Sequence, residues 1–285
     1  MAVDDPLLAP LRVRGMTLRN RVVSTSHEPA YTHDGMPKAR YRRYHLEKAR
    51  GGVGLTMIGG SATVSPDSPP AFGNILMYRD EVVPWLRRLT DEVHEAGAAV
   101  MIQLTHFGRR SSNFTGDWLP LVYPGPDREP AHRSFPKVAE DWDIDRIVGH
   151  YVAAAERCVA AGLDGLELMA YGHLFDGFLS PATNQRQDAW GGDPARRRAF
   201  GLRVVQEVRK EVGEDFVLGL RLCMDECLAG GLGAEEAVAA VAEFTDAGVD
   251  LLSVIRGTID SEATVARVIP SMGGRSAPHL EFAGR

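Results

Sequence analysis

The amino-acid sequence predicts an α/β protein, most simply a TIM (β/α)8 barrel in which parallel strands alternate with helices. Three observations predict this fold class. A helix-to-strand junction of constant pattern recurs five times along the 285 residues, a short apolar run follows each junction, and the intervening segments have helical periodicity. Strands that alternate with helices form a parallel sheet through right-handed crossovers.

A glycine marks each of the five junctions. The glycines are Gly52, Gly97, Gly162, Gly213 and Gly248. Glycine readily takes the left-handed conformation that ends a helix, and an apolar run without alternation suits a strand buried on both faces. Each junction therefore predicts the end of a helix followed by a core strand.

The segments between the junctions carry apolar residues at helical spacing. In the clearest one, Asp143 is the expected N-cap. The apolar positions that follow it are Val148, Tyr151, Val152, Ala155, Cys158 and Val159. Weaker examples of the same spacing lie in 204–212 and 237–244.

Six strands are predicted, preceded by a small hairpin. The expected strands are Arg21–Ser24, Gly54–Gly59, Val100–Thr105, Gly165–Ala170, Val217–Leu222 and Asp250–Ile255. Residues Leu11–Arg19 are expected to form the hairpin and to plug the floor of the barrel.

A doubly wound open sheet is the competing architecture, but it places a glycine-rich fingerprint after its first strand. Here the first strand runs into Ser24–Glu28, which has no such fingerprint, so the barrel is favoured. A closed barrel needs two more strands than the six predicted. We therefore expect 1–285 to be a single incomplete barrel domain, without strands seven and eight or any C-terminal domain, and Pro278–Arg285 to open a helix.

Composition and charge narrow the class of protein. A formal net charge of −6 argues against a nucleic-acid or membrane-surface partner, and no apolar run is long enough to span a bilayer. The acidic N-terminus lacks the apolar core of a signal peptide. Three cysteines without a paired pattern suit a reducing cytoplasm, where we expect the protein to reside, and no metal site is expected.

Polar residues follow or end the predicted strands, where a barrel of this kind carries its chemistry. Gly59 would let backbone approach a planar ring closely. The Gln103 amide can donate and accept along a pyrimidine edge, and a permanent charge on Arg221 would stabilise a reduced, electron-rich ring. Alone, each residue has a structural explanation, such as a turn glycine or an amide bonded to a loop. Together, on successive strands, they indicate a cofactor site.

The chain resembles the old yellow enzyme family of FMN oxidoreductases over nearly its whole length. The motifs that carry the resemblance are Leu8–Leu11, Asn20–Val23, Gln103–Arg109, Phe178–Gly192 and Arg196–Phe200. The fold would then be a barrel of the FMN oxidoreductase type. The resemblance implies FMN contacts from Ser24, Thr25, Gly59, Gln103 and Arg221. In the family the phosphate is held by strands seven and eight, so we expect this chain alone to bind FMN poorly.

The segment after the fourth strand departs from the alkene-reducing members of the family. They carry a His-x-x-His or His-x-x-Asn pair followed by a proton-donating tyrosine, whereas this chain has Met169, Tyr171 and His173 in a segment one residue shorter. A tyrosine–histidine pair is similar to the amine-oxidising branch, with proteins like trimethylamine dehydrogenase and the N-methylproline or proline-betaine demethylases. Tyr171 and His173 are the predicted catalytic residues.

The loop sequences Gly59–Asn74, Thr115–Pro120 and Arg128–His132 are also similar to that demethylase group. The implied reaction transfers a hydride equivalent from an N-methyl carbon to FMN, after which the iminium hydrolyses to formaldehyde and the demethylated amine. Predicted substrate contacts are His27, Trp118, Met169 and Asp260. Two alternatives stay open: an ene-reductase or 2,4-dienoyl-CoA reductase-like activity, and a truncated, non-catalytic product without flavin.

Longer members of this branch add a 4Fe-4S cluster and FAD, and this sequence has no C-x₂-C pattern to hold such a cluster. We expect a small-molecule substrate. An electron donor or acceptor such as NAD(P)H or an electron-transfer flavoprotein is the expected partner, and oligomerisation is left open.

Overall fold

The computed structural model describes residues 5–111, 119–269, 271, 273–274 and 277–284, except the side chain of Ser61. Its strands are β1 (Leu11–Val13), β2 (Met16–Leu18), β3 (Val23–Ser24), β4 (Leu55–Thr63), β5 (Ala99–Thr105), β6 (Val122–Tyr123), β7 (Lys137–Val138), β8 (Gly165–Ala170), β9 (Val217–Cys223) and β10 (Leu251–Ile255). Its helices are α1 (Ala39–Arg50), α2 (Val82–Glu95), α3 (Asp141–Ala160), α4 (Leu174–Leu179), α5 (Pro194–Val212), α6 (Ala234–Asp246), α7 (Glu262–Val268) and α8 (Leu280–Ala283).

Six strands form one parallel sheet in the order β3, β4, β5, β8, β9, β10. Met101 on β5 lies opposite Gly165 on β8, which in turn lies opposite Val217 on β9. This sequential order is that of a barrel wall, because a doubly wound sheet reverses its strand order at an internal switch point. All six predicted strands are confirmed, and the fold class with them.

Two strand boundaries differ from the prediction by more than one residue. The first strand begins at Val23, and β4 continues to Thr63 because its register with β5 shifts between Ile58 and Ala62. The predicted end at Gly59 therefore marks a bulge within the strand. The parallel pair β6–β7, in the loop after β5, was not predicted because each of its strands has only two residues.

The hairpin predicted at the barrel floor is confirmed. β1 and β2 pair antiparallel, and the buried side chains of Met16 and Leu18 pack against Leu55, Met101 and Val217. Leu55 and Val217 are the first residues of their strands, so the hairpin covers the amino-terminal end of the sheet. This apolar plug leaves the opposite end for polar chemistry.

Helices α3 and α5 pack on the outer face of the sheet through buried residues such as Ile144, Tyr151 and Phe200. The N-cap of α3 is Glu140, and the prediction of Asp143 as N-cap is wrong by one turn. Asp143 occupies the third helical position of a capping box, where its carboxylate accepts the Glu140 backbone N–H at 3.0 Å.

The junction glycines behave as predicted, since all five have φ between +76° and +118°. Within the described residues, no helix combines the length and the apolar character that crossing a membrane requires.

The Arg209 guanidinium links the end of α5 to the beginnings of β9 and β10 through hydrogen bonds. It donates to Asp250 Oδ2 at 2.5 Å and to the backbone carbonyls of Gly248, Gly213 and Phe216 at 2.8, 2.6 and 2.8 Å. The Arg209 and Asp250 side chains are only 10% and 5% exposed. Removing one member of a buried ion pair leaves the other charge uncompensated.

Arg14 Nε also donates to Asp250 Oδ1 at 2.7 Å, so in Arg209→Met the Asp250 charge keeps one partly exposed partner. We expect the free energy of unfolding to fall by about 2–4 kcal/mol, less than for a fully uncompensated buried charge. The matched control is Arg203→Met on the same helix, because the Arg203–Asp145 pair is 39% and 61% exposed. Exposed pairs contribute about 1 kcal/mol or less. Urea denaturation of the three proteins measures both changes, and equal losses for the two variants would contradict this account of Arg209.

Candidate active site at the carboxyl ends of the strands

A buried carboxylate, Glu167 on β8, lies at the centre of the polar groups on the inner face of the sheet. Its Oε2 accepts the Gln103 Nε2–H of β5 at 2.5 Å and the Ser26 hydroxyl at 3.4 Å, and its Oε1 accepts the Ser253 hydroxyl of β10 at 2.5 Å. Glu167 and Gln103 are both fully buried. The network thus joins the loop after β3 to three strands.

Two of the predicted cofactor residues have buried polar atoms without a partner among the described residues. These atoms are Gln103 Oε1 and Arg221 Nε. Arg221 on β9 lies in register between Met169 on β8 and Ser253 on β10. Buried polar groups are normally hydrogen-bonded, so an acceptor and a donor left unpaired close to one network indicate a place for a ligand.

The remaining predicted cofactor residues lie at the ends of β3 and β4. Ser24 ends β3 and is half-buried, whereas Thr25 after it is exposed. Gly59 has φ +79° inside the β4 bulge. A Cβ added to the adjacent Gly60 would lie 3.1 Å from the Glu28 backbone nitrogen, so the loop after β3 packs directly on this bulge.

Glu28 in that loop is a residue whose role the sequence did not indicate. Its Oε1 accepts the Ala30 N–H at 2.8 Å, and its Oε2 is buried without a hydrogen bond from the described residues. Burial outweighs the hydrogen bond from Ala30 and raises the pKa of Glu28 to about 7.

Tyr171, a predicted catalytic residue, and Met169, a predicted substrate contact, belong to a buried apolar cluster at the end of β8. They pack with Cys223 and Ile255 at the ends of β9 and β10. Burial raises the pKa of the Tyr171 phenol, against the lowering effect of the nearby Arg110 charge, so the phenol keeps its proton at neutral pH.

His173 is the N-cap of α4, where its backbone N–H donates to Asp176 Oδ1 at 2.7 Å. Its ring lies edge-to-face against Phe107, with the ring centroids 4.7 Å apart. Burial and the Arg110 charge lower the pKa of His173 to about 3. The imidazole is therefore neutral at physiological pH.

Charged residues lie near the apolar cluster of Tyr171 and Met169. The predicted substrate residue Asp260 accepts from Arg109 Nη2 at 3.4 Å, and Arg110 Nη1 lies 3.5 Å from Glu129 Oε1. Arg109, Arg110, Glu129 and Asp260 line a cavity of about 10 Å³ beside Gly172, which has room for about one water molecule. Arg110 lies one residue beyond the Gln103–Arg109 motif, and the sequence gave no sign that its charge acts on Tyr171.

Of the two other predicted substrate residues, the structure describes only His27, whose hydrogen bond is to a helix. His27 is exposed, and its Nδ1 lies 3.1 Å from the hydroxyl of Tyr44 on α1, so the structure directs its side chain toward that helix. Trp118 lies outside the described residues. Within the described part of the chain, no three His, Cys, Asp or Glu side chains are grouped as a metal site.

Comparisons with known proteins agree with this geometry. A family model for the NADH:flavin oxidoreductase / NADH oxidase family matches residues 6–270. A probable N-methylproline demethylase of Rhizobium meliloti (strain 1021) is 53% identical over 99% of this chain and 42% of its own length. A multifunctional alkene reductase/demethylase of Caballeronia cordobensis is 43% identical over 98% of this chain and 41% of its own length.

Among solved structures, an old yellow enzyme homologue from Zymomonas mobilis superposes with a TM-score of 0.81 at 23% identity. That match covers 91% of this chain and 76% of the other, and it supports the fold. The chain spans about two fifths of the length of the two curated relatives.

The raised pKa of Glu28 predicts a pH-dependent contribution to stability. The carboxyl titrates near pH 7 in the folded state and near pH 4.5 in the unfolded chain. Between these values the unfolded chain releases its proton first, so the free energy of unfolding falls as pH rises. We expect the free energy of unfolding of the wild type to fall relative to Glu28→Gln between about pH 4.5 and 7. Chemical denaturation across this range measures the difference, and a constant difference would refute the assignment.

Proposed function

The chain belongs to the NADH:flavin oxidoreductase / NADH oxidase family, and from this premise we propose that it carries the flavin and substrate sites of an FMN-dependent N-demethylase. The proposed substrate is a small N-methylated amine of the N-methylproline type. The observation that carries this proposal is that Met169, buried together with Tyr171, and the neutral His173 follow one another at the end of β8, where an alkene reductase would present two side chains that bind a carbonyl oxygen.

The residues at the strand ends fit FMN. Gln103 Oε1 is a buried acceptor without a donor, and Arg221 Nε is a buried donor without an acceptor among the described residues. The bulge at Gly59 gives a ring access to backbone. Gln103 and Arg221, with Gly59 and the Ser24–Thr25 segment, would hold the ring, and the permanent Arg221 charge would favour its reduced form.

When bound, FMN supplies the acceptor for the hydride equivalent that leaves the N-methyl carbon. The chain's own residues prepare the amine for that loss. A small alkylamine carries a proton on nitrogen at neutral pH, and its lone pair is available to form a C=N bond only after that proton leaves. The lowered pKa of His173 makes its imidazole a weak base, so His173 is suited to orient the uncharged amine through a hydrogen bond, while the ammonium proton leaves to water. Water then adds to the iminium carbon, and formaldehyde and the demethylated amine separate.

Tyr171 and the charges around it suit a zwitterionic substrate. The electron-rich face of Tyr171 attracts a methylated ammonium by about 0.5–2 kcal/mol. Arg110 and Asp260 both lie close enough to Tyr171 to influence its pKa, so opposite charges lie near the same tyrosine. An N-methylated amino acid, which carries an ammonium and a carboxylate, matches this arrangement.

Alkene reduction is the second candidate function. It is supported by the relative whose name includes both alkene reductase and demethylase, at 43% identity. Met169 weighs against it, because a thioether accepts hydrogen bonds only weakly and cannot donate one to a carbonyl oxygen.

The two functions are separated by assays of this chain at saturating FMN, because the chain alone is expected to bind the cofactor weakly. We expect formaldehyde from N-methylproline, none from proline betaine, whose quaternary nitrogen has no lone pair to form the C=N bond, and little reduction of a simple enone. His173→Ala should lower demethylation by about 10²-fold or more while the flavin absorbance stays unchanged. Enone reduction without formaldehyde from any methylated amine would contradict the demethylase proposal. A colourless protein that takes up no FMN would support a non-catalytic product.

Arg221→Met tests the cofactor site directly. Loss of the guanidinium should weaken FMN binding by about tenfold or more and make the bound flavin harder to reduce, since a buried charged hydrogen bond contributes about 1.5–3 kcal/mol. Arg12→Met, on the exposed face of the floor hairpin, is the matched control. Flavin titration and a redox titration give both quantities, and an unchanged affinity and potential would remove Arg221 from the site.

A further inference from the structure

Glu167 restricts the orientation of the neighbouring Gln103 amide. Gln103 and Glu167 lie directly opposite each other on β5 and β8, and the Gln103 Nε2–H donates to Glu167 Oε2 at 2.5 Å. A carboxylate has acceptor oxygens only, so rotating the amide by 180° would bring two acceptors together at that distance. The amide is therefore held with Nε2 toward Glu167 and Oε1 away from it.

The carboxylate is itself held in place from both sides. Ser253 donates to Oε1 at 2.5 Å and Ser26 donates to Oε2 at 3.4 Å, and Glu167 is fully buried. Ionic groups this deeply buried persist only when hydrogen bonds compensate for lost water. Both oxygens of Glu167 are therefore already engaged by protein donors, and one of these donors is the Gln103 amide. Its effect on a ligand is transmitted through Gln103.

We propose that Glu167 is a positioning residue that makes Gln103 an obligate hydrogen-bond acceptor toward the cofactor. The Gln103 Oε1 atom, buried and without a donor among the described residues, then requires a ligand that presents an N–H there. The pyrimidine ring of a flavin carries one N–H, at N3, between two carbonyl groups. Glu167 thereby selects the N3–H group over either neighbouring carbonyl, and this assignment rests on the proposed FMN site.

Glu167→Gln tests the proposal because it preserves size and removes the acceptor-only character. Serine hydroxyls can donate or accept, so a glutamine at 167 allows both orientations of Gln103. Ser253→Ala is the matched control: it removes one hydrogen bond from the same carboxylate and leaves the Gln103 contact intact.

The first measurement uses the FMN-free chain. The side-chain amide resonances of Gln103, assigned by their loss in Gln103→Met, should show strongly shifted, slowly exchanging protons in the wild type and in Ser253→Ala. Glu167→Gln should lose that signature. A wild-type amide that exchanges freely would overturn the proposal, even if Glu167→Gln fails to fold.

The second measurement is the ionisation of N3–H in bound FMN, followed by absorbance against pH. An acceptor opposite N3 opposes loss of its proton, so the wild type and Ser253→Ala should ionise at higher pH than free FMN. In Glu167→Gln the ionisation should move down by about one unit or more, because a rotated amide donates to the anion. A folded Glu167→Gln with wild-type resonances and ionisation would overturn the positioning role. Failure of the wild type to bind FMN would overturn the cofactor assignment in the proposed function, while the amide resonances still decide the role of Glu167.

Discussion

Parallel pairing of six consecutive strands decides which side chains of this chain can meet. Because the strands run in one direction, the loops after them all leave from one end of the sheet, and residues as distant in sequence as Ser26 and Ser253 bond to the same carboxylate. The other end is sealed by the apolar side chains of Met16 and Leu18 from the hairpin. The polar groups are thereby concentrated at one end, where a ligand can complete their hydrogen bonds.

The inner and outer faces of the sheet have different physical tasks. On the outer face, Leu166 and Leu168 of β8 pack against the helix layer and contribute through apolar burial. Glu167, which lies between these two leucines in the sequence, is buried on the inner face. Burying its charge would cost free energy without the three hydrogen-bond donors. Gln103 Oε1 and Arg221 Nε remain without a hydrogen-bond partner among the described residues. Because the Glu167 network already orients the Gln103 amide, this part of the inner layer is preorganised before any ligand arrives.

Periodicity and glycine placement were enough to predict the strands and the floor hairpin, because both signals are local. The N-cap of α3 was misplaced because Glu140 and Asp143 are both acidic and only the capping-box geometry distinguishes them. The role of Glu167 could not be predicted, since its partners come from the loop after β3 and from β5 and β10. The same holds for Glu28 and Arg110, whose chemistry depends on burial and neighbours that the sequence alone does not show. The direction of the His27 side chain has a similar cause, because it bonds to Tyr44 on a helix.

Electrostatic environment, more than residue type, decides what the end of β8 can do. A tyrosine and a histidine could serve as acid or base in many reactions, but here burial keeps the Tyr171 phenol protonated and the His173 imidazole neutral. An imidazole with so low a pKa is a weak base, so His173 can bond to an uncharged amine but is not suited to hold the proton of an ammonium. A carbonyl substrate would instead need hydrogen-bond donors around its oxygen, and Met169 provides none. The same desolvation favours the uncharged form of an amine, whose lone pair is free to form a C=N bond.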